Sequence, residues 1–359
     1  MNKEKTFFTK KLLEWYHPDE RPLPWKAIKN PYFIWLSEII LQQTRVQQGL
    51  PYYNKFTEKY PTIVDLANAP EDEVFKLWEG LGYYSRARNL HFAAQTVATT
   101  HQGVFPTTYA DIRALKGVGD YTAAAIASFA YNLPYAVVDG NVYRVLARFF
   151  GINTPIDSTA GKKEFSLLAD ELLAKKQPAL YNQAIMDFGA THCTPKKPNC
   201  TNCLHQKKCA AFQTNQVANL PVKSKKIKKK NRYFYYLILK KGEEVYLRKR
   251  TGKDIWASLY EFPLIELKKE VEGLFLMEAL EESPEWKSLF ANQAVVVKSV
   301  STKYKQTLSH QKISALFLEI KIKPSFFCEN KNLIVIERKK IKNFAFPKII
   351  SNYLEDRKR

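Results

Sequence analysis

Little in this sequence would place it in a membrane, outside a cell or among disordered chains. No apolar run reaches the roughly 18 residues that a bilayer span needs, and no basic helix carries a lipid-facing stripe, so no membrane partner is expected. The opening residues, MNKEKTFFTKKLLEWY, lack the apolar core of a secretory leader, and a cytoplasmic location is expected. Glycine is scarce, 13 in 359 residues, and proline, at 18, is no more than ordinary, while 45% of residues are apolar; this excludes a low-complexity chain and leaves length for two or three domains. Cysteine is scarcer still, and four of the five crowd between Cys193 and Cys209, which is not the layout of a disulfide framework. Acid is the largest deficit: 35 Asp and Glu stand against 56 Lys and Arg, a net charge of +21 that argues for a polyanionic partner, nucleic acid foremost.

The chain is organised around LKGVGDYTAAAIASFAYNLPYAVVDGNVYRVLAR, Leu115 to Arg148. Gly117 and Gly119 make a turn ahead of an alanine-rich helix, where backbone can approach a ligand and the helix aims unpaired N–H groups and its positive dipole end outward. A phosphate fits such a place, although an ordinary helical hairpin needs the same glycines. Further on, the apolar Tyr135–Val138 delivers Asp139 to the start of a second helix, with Gly140 and Asn141 beside it and Arg144 and Arg148 one and two turns later.

Upstream, helical spacing covers Phe7–Tyr16 and, after a loop with three prolines, about Tyr32–Gln48. Within the second helix Glu38 lies among Ile34, Ile40 and Leu41. Such company desolvates a carboxyl, raises its pKa and suits it to general acid work, whereas a solvated face or a pair with Arg45 is the plainer alternative. Helices are expected over Thr62–Ala69, Asp72–Trp78 and Arg86–Thr100, and the glycine-bracketed loop Gly80–Arg88 interleaves tyrosines with arginines, a composition suited to wedging against bases or simply to packing. Helices about Gly161–Ala174 and Tyr181–Ala190 precede the cysteines, spaced Cys193-x6-Cys200-x2-Cys203-x5-Cys209. Four thiolates so close can converge on one metal centre, and the spacing alone admits either zinc or an iron–sulfur cluster. Cys328 stands apart as an ordinary residue.

Residues 217–232 break the composition: NLPVKSKKIKKKNR has seven basic residues and no acid, and reads as an interdomain linker that also tracks a DNA backbone. Beyond it the period becomes extended, with strands expected over Arg232–Leu239, Glu244–Lys249, Ala294–Val300, Ile313–Ile320 and Leu333–Val335 and a helix about Leu274–Leu280. The expected organisation is an all-α domain over 1–216, the linker, and an α/β domain over 233–359.

These phrases together resemble the helix-hairpin-helix-Gly/Pro-Asp DNA glycosylases and, within them, the adenine DNA glycosylases of the MutY type. WLSEIILQQTRV resembles their catalytic-helix motif, GLGYYSRARNL their duplex-filling loop, the cysteine spacing their iron–sulfur loop, and LYEFP and Thr307-Leu308-Ser309-His310 their C-terminal Nudix-like domain. The resemblance implies a helix-hairpin-helix at about 112–130 and one structural 4Fe-4S cluster on Cys193, Cys200, Cys203 and Cys209. It further implies a monomer that acts on double-stranded DNA with adenine opposite 8-oxoguanine or guanine. Glu38 is then the acid, Asp139 the counter-charge or nucleophile, and Tyr121 and Asn141 orient them. Gly117 and Gly119 grip the backbone, Gln43 and Tyr83 fill the duplex, and Ser309 and His310 read 8-oxoguanine.

Two departures qualify this. Leu308 stands where Phe is common, which leaves open what stacks there; the REUxEE box of Nudix pyrophosphatases is absent after Glu261, so that domain should recognise and not cut. Tyr121 stands where the endonuclease III type, a bifunctional glycosylase/lyase, has the lysine that a Schiff base needs. That enzyme type and a non-catalytic helix-hairpin-helix binder are the alternatives.

Overall fold

The structure, a computed structural model, describes residues 3–224, 228–291, 293, 295–323, 326 and 332–357. The fifth cysteine, Cys328, and the expected strand start at Ala294 lie outside them. Two compact units emerge: Met1–Asn68 with Asn89–Lys226, and Ala69–Arg88 with Ile227–Arg359. Among the described residues no helix is long and apolar enough to cross a membrane.

The first unit is helical. Its elements are α1 (Lys3–Trp15), α2 (Pro31–Leu41), α3 (Val46–Lys59) and α4 (Ile63–Asn68); then, after α5 (Glu71–Trp78) of the other unit and α6 (Ser85–Thr100), which crosses into this one, come α7 (Tyr109–Ala114), α8 (Asp120–Tyr131), α9 (Gly140–Phe150), α10 (Thr159–Leu172), α11 (Pro178–Asp187) and α12 (Ala210–Gln213). Boundaries follow local chemistry. Asn30 caps α2 by accepting from Tyr32 N at 2.9 Å, with Pro31 in the first turn, and Asp139 caps α9. Phe8 and Leu12 of α1 bury against Val145, Leu146 and Phe149 of α9, Phe165 of α10 and Tyr181, Ala184 and Ile185 of α11. Each large side chain so buried contributes about 2–3 kcal/mol of hydrophobic stabilisation. The alanine-rich α8 packs against α2, small residues letting the two axes approach.

Two expectations need correcting. The single helix over Tyr32–Gln48 is two, α2 and α3, because Gln43 adopts a left-handed φ of 56° and Gln42 and Arg45 are extended. α3 itself carries Tyr53 and Phe56 on a buried face that Gly49-Leu50-Pro51 hides from sequence periodicity. The stretch 217–232 is not a uniform connector. Leu220 is buried in the helical core with Val217 and Val222 packed on it, and strand pairing begins at Lys230.

The second unit is a mixed sheet flanked by helices. Strands β1 (Lys230–Lys241) and β7 (Gln311–Lys321) run parallel at its centre. β2 (Glu244–Lys249) and β4 (Leu264–Leu267) pair antiparallel with β1, β3 (Tyr260–Glu261) and β8 (Leu333–Glu337) with β2, and β5 (Val296–Val300) and β6 (Tyr304–Thr307) with β7. Period-2 alternation sends Tyr235, Leu237, Leu239, Leu316 and Leu318 to one face, packed with Leu280 of α13 (Leu276–Glu281) and Trp286 and Phe290 of α14 (Pro284–Phe290). On the other face Phe317 stacks on Tyr236 and on Tyr353 of α15 (Lys348–Asp356), ring centroids 5.1 and 4.1 Å apart. Glu261, fully buried, is paired by Arg248 at 2.8 Å and Arg250 at 2.6 Å, so it is engaged in a buried ion-pair network.

Residues 69–88 belong to this unit although the sequence places them among the helices. Lys249 reaches Glu71 at 3.0 Å and Asp72 at 2.7 Å, Glu79 accepts from Phe346 N at 3.0 Å, and Arg88 donates to the Ala257 carbonyl at 2.6 Å. The tyrosine-arginine loop is therefore carried by the strand-rich unit.

Candidate active site

Glu38 sits on α2, 8% exposed. Burial pushes its carboxyl pKa up to about 7, a Tyr121 hydrogen bond works against that rise, and the charge of Asp139 adds to it. The Tyr121 hydroxyl donates to Glu38 Oε2 at 2.8 Å and reaches Met186 Sδ at 3.9 Å; its own pKa is driven well above 10 by burial and by the neighbouring Glu38, so it stays a phenol and a donor.

Asp139 is the N-cap of α9. Its Oδ1 accepts from the amides of Asn141 and Val142, both at 2.8 Å, and its Oδ2 from Asn141 Nδ2 at 2.7 Å. Burial raises its pKa, while these three bonds and Arg144 oppose the rise. Asn141 is held in turn: Arg144 Nη2 donates to its Oδ1 at 3.0 Å, and the same guanidinium donates to the carbonyls of Gly189 and, at 2.8 Å, Cys193. A Cβ on Gly189 would lie 2.7 Å from Asn141 Cβ, so only glycine permits this approach. Arg144 and Gly189 received no such role in the sequence reading; position i+3 from Asn141 was the one signal for Arg144, and nothing local marked Gly189.

Glu38, Tyr121, Asp139, Asn141, Gln43, Gly117 and Gly119 all line one open cavity of about 1880 Å³. Its wall also includes the proline-rich 18–29 segment, held by Arg21 and Lys26, both paired at 2.5 Å with the buried Asp187. Gly117, at φ 82°, turns the chain where a Cβ would meet Asn89 Cβ at 2.7 Å. In the strand-rich unit Tyr83, also left-handed at φ 48° and 45% exposed, shares a 2.5 Å hydrogen bond with Ser309 Oγ. Ser309 and His310 occupy the tip of the β6–β7 hairpin, closed by Leu308 N to Gln311 O at 2.8 Å. A left-handed backbone on a non-glycine residue costs on the order of 1–3 kcal/mol and recurs at functional positions; Gln43 and Tyr83 both have it.

The four cysteines line a second, apolar cavity with Phe149, Phe188 and His205. Arg148 binds the loop, donating to Thr194 O at 2.8 Å and to Cys193 Sγ at 3.4 Å. Among the described residues no three Cys, His, Asp or Glu groups are arranged to hold a single metal ion.

A family of HhH-GPD superfamily base excision DNA repair proteins matches residues 36–170, and a NUDIX domain matches residues 234–356. The chain is 32% identical over 356 residues to an adenine DNA glycosylase of Buchnera aphidicola from Acyrthosiphon pisum, spanning 99% of both chains. Among solved structures, a thermostable thymine-DNA glycosylase superposes with a TM-score of 0.55 at 32% identity, over 59% of this chain and 98% of its own. A non-covalent endonuclease III–DNA complex shares the fold, with a TM-score of 0.52 at 20% identity over 60% of this chain and 99% of its own. The chain belongs to the HhH-GPD superfamily of base excision DNA repair proteins and, within it, to the adenine DNA glycosylases.

Proposed function

We propose that this DNA glycosylase excises adenine mispaired with 8-oxoguanine or guanine in double-stranded DNA, and that it does so without lyase activity. The observation that carries the reading is a shared cavity: a carboxyl whose pKa burial raises to about 7 and a second carboxylate held by three hydrogen bonds face one space large enough for a nucleotide. Adenine must leave the base stack to enter it, at a cost of a few kcal/mol that is least for a mispair. Glu38 delivers its proton to an adenine ring nitrogen. The glycosidic bond breaks with its electron pair going to the base, and Asp139 stabilises the positive charge left on the sugar. Water then adds at the anomeric carbon and passes its proton to the Glu38 carboxylate, giving an abasic sugar and free adenine and restoring the acid. General acid catalysis of this kind supplies about 10²- to 10⁴-fold in rate.

Tyr121, a phenol in the place of a Schiff-base lysine, supports the monofunctional reading. Ser309 and His310, exposed at a hairpin tip with Tyr83 bonded beside them, support 8-oxoguanine recognition by the strand-rich unit. For the cysteine loop the donor set supports one 4Fe-4S cluster: four thiols in an apolar cavity suit soft iron, and with every cysteine a ligand its role is structural.

The test of the activity is single-turnover release of adenine from an adenine:8-oxoguanine duplex. E38Q and D139N should retain DNA binding and lose excision, and near-normal cleavage by either overturns the assignment; borohydride trapping of wild type would overturn the monofunctional one. A brown protein with broad visible absorption and about four iron atoms per chain supports the cluster. A colourless zinc protein overturns it.

A further inference from the structure

The glycine turn that offers its backbone to a phosphate carries an acid beside it. Asp120 is the first residue of α8, with its side chain 83% exposed, and has the same sign as the group the turn should attract. The cap of α8 is Gly119, which supplies no side-chain acceptor, so the first amides of the helix and its positive dipole end remain open to an outside anion. An exposed carboxylate at that spot opposes the approach of DNA.

Arg113, in the last turn of α7, answers this charge across the hairpin. Its Nε donates to Asp120 Oδ1 at 2.6 Å and its Nη1 to the Val118 carbonyl at 2.9 Å. One planar guanidinium thus cancels the acid and also fixes the peptide between the two glycines, a two-point hold that a lysine could not reproduce. The spacing of seven residues across a turn belongs to no helical pairing rule.

We propose that Arg113 is a positioning residue for DNA binding: by neutralising Asp120 and pinning the Val118 carbonyl, it keeps the N-terminus of α8 open to a backbone phosphate. The inference rests on the reading of this turn as the DNA grip. Released from Arg113, the Asp120 carboxylate repels the phosphate, and at exposed-site dielectric and low salt that repulsion amounts to about three- to tenfold in affinity.

The experiment is a double-mutant cycle on the full chain. Fluorescence anisotropy follows binding to a short labelled duplex with an abasic-site analogue opposite 8-oxoguanine, across a salt series. R113A and R113Q, which keeps a polar side chain but neither the charge nor the guanidinium's two-point hold, should each weaken binding about three- to tenfold at low salt. In the D120N protein the same two changes should cost less than about twofold, and the coupling between the positions should vanish near 1 M salt, where the screening length is about 3 Å. A role confined to supporting the fold would not be rescued by D120N or erased by salt. Equal losses with and without D120N, or no loss at all, overturn the proposal while leaving the DNA reading intact. If wild type itself shows no salt-dependent binding to the duplex, the DNA reading fails and the proposal with it.

Discussion

The protonation of Glu38 should be visible in stability as well as in rate. An acid whose folded pKa is raised binds its proton more tightly when folded, so its contribution is fully present below the unfolded value of 4.5 and is lost as pH climbs through about 7. The shift from 4.5 to about 7 corresponds to about 3 kcal/mol once Glu38 is ionised, at about 1.4 kcal/mol per unit. At 8% exposure little of this is screened by water. E38Q keeps the shape and stays neutral. Its stability relative to wild type should therefore rise by about 2–3 kcal/mol between about pH 5 and about pH 8, measured by urea unfolding of both proteins at each pH. In wild type the single-turnover rate should fall about tenfold per pH unit above about 7, because only the protonated acid can donate. Parallel stability curves for the two proteins, together with a rate that is flat from about pH 6 to about pH 9, would refute the idea that burial holds a proton on Glu38.

Three other perturbations follow from the same geometry. Y121F removes the hydrogen bond that favours the Glu38 carboxylate, so the alkaline limb of the pH–rate profile should move upward by about half to one unit; a limb that stays or moves down contradicts the bond. G189A forces a Cβ against Asn141 and should cost about tenfold to a hundredfold in single-turnover rate through misplacement of Asp139, with adenine release as the assay. S309A should reduce the preference for adenine opposite 8-oxoguanine over adenine opposite guanine by about three- to tenfold, the worth of one hydrogen bond, in competition assays on the two duplexes.

The placement of the two carboxyls, Glu38 and Asp139, in one cavity was foreshadowed by local signals. Asp139 stands just before a helical repeat, where a cap is expected, and Glu38 lies among apolar residues at helical spacing. The break at Gln43 was not legible, since polar glutamines continue a helical pattern across it and a left-handed φ leaves no mark when the residue is not glycine. α3 was hidden by Gly49-Leu50-Pro51, and β4 and β6, four residues each, are too short to develop a period. The attachment of residues 69–88 to the strand-rich unit depends on partners such as Lys249 and Phe346, more than 150 positions away, which no local rule can find. The pairing of Arg113 with Asp120 had no sequence signal for a related reason, a turn interposed between two helices.

The two carboxylates share a cavity yet face opposite demands, and their environments divide the work. Glu38 receives one hydrogen bond, from a neutral phenol, and lies in the last turn of the apolar α2, where the negative end of the helix dipole disfavours its charge. Asp139 receives three, two of them from the first amides of α9, with the Arg144 guanidinium in the same network. Hydrogen bonds to a charged group contribute about 1.5–3 kcal/mol each, so three outweigh one by several kcal/mol, and the helix N-terminus adds about 0.3–1 kcal/mol more. Burial acts on both carboxyls; the donors act chiefly on Asp139. A proton shared by the site therefore resides on Glu38 and the charge on Asp139, which under the proposed mechanism is where a sugar cation would form. Each ionised carboxylate also discourages the other, as the effect of Asp139 on Glu38 records. D139N should accordingly lower the Glu38 pKa, leaving the acid less protonated near neutrality at the same time as it removes the counter-charge.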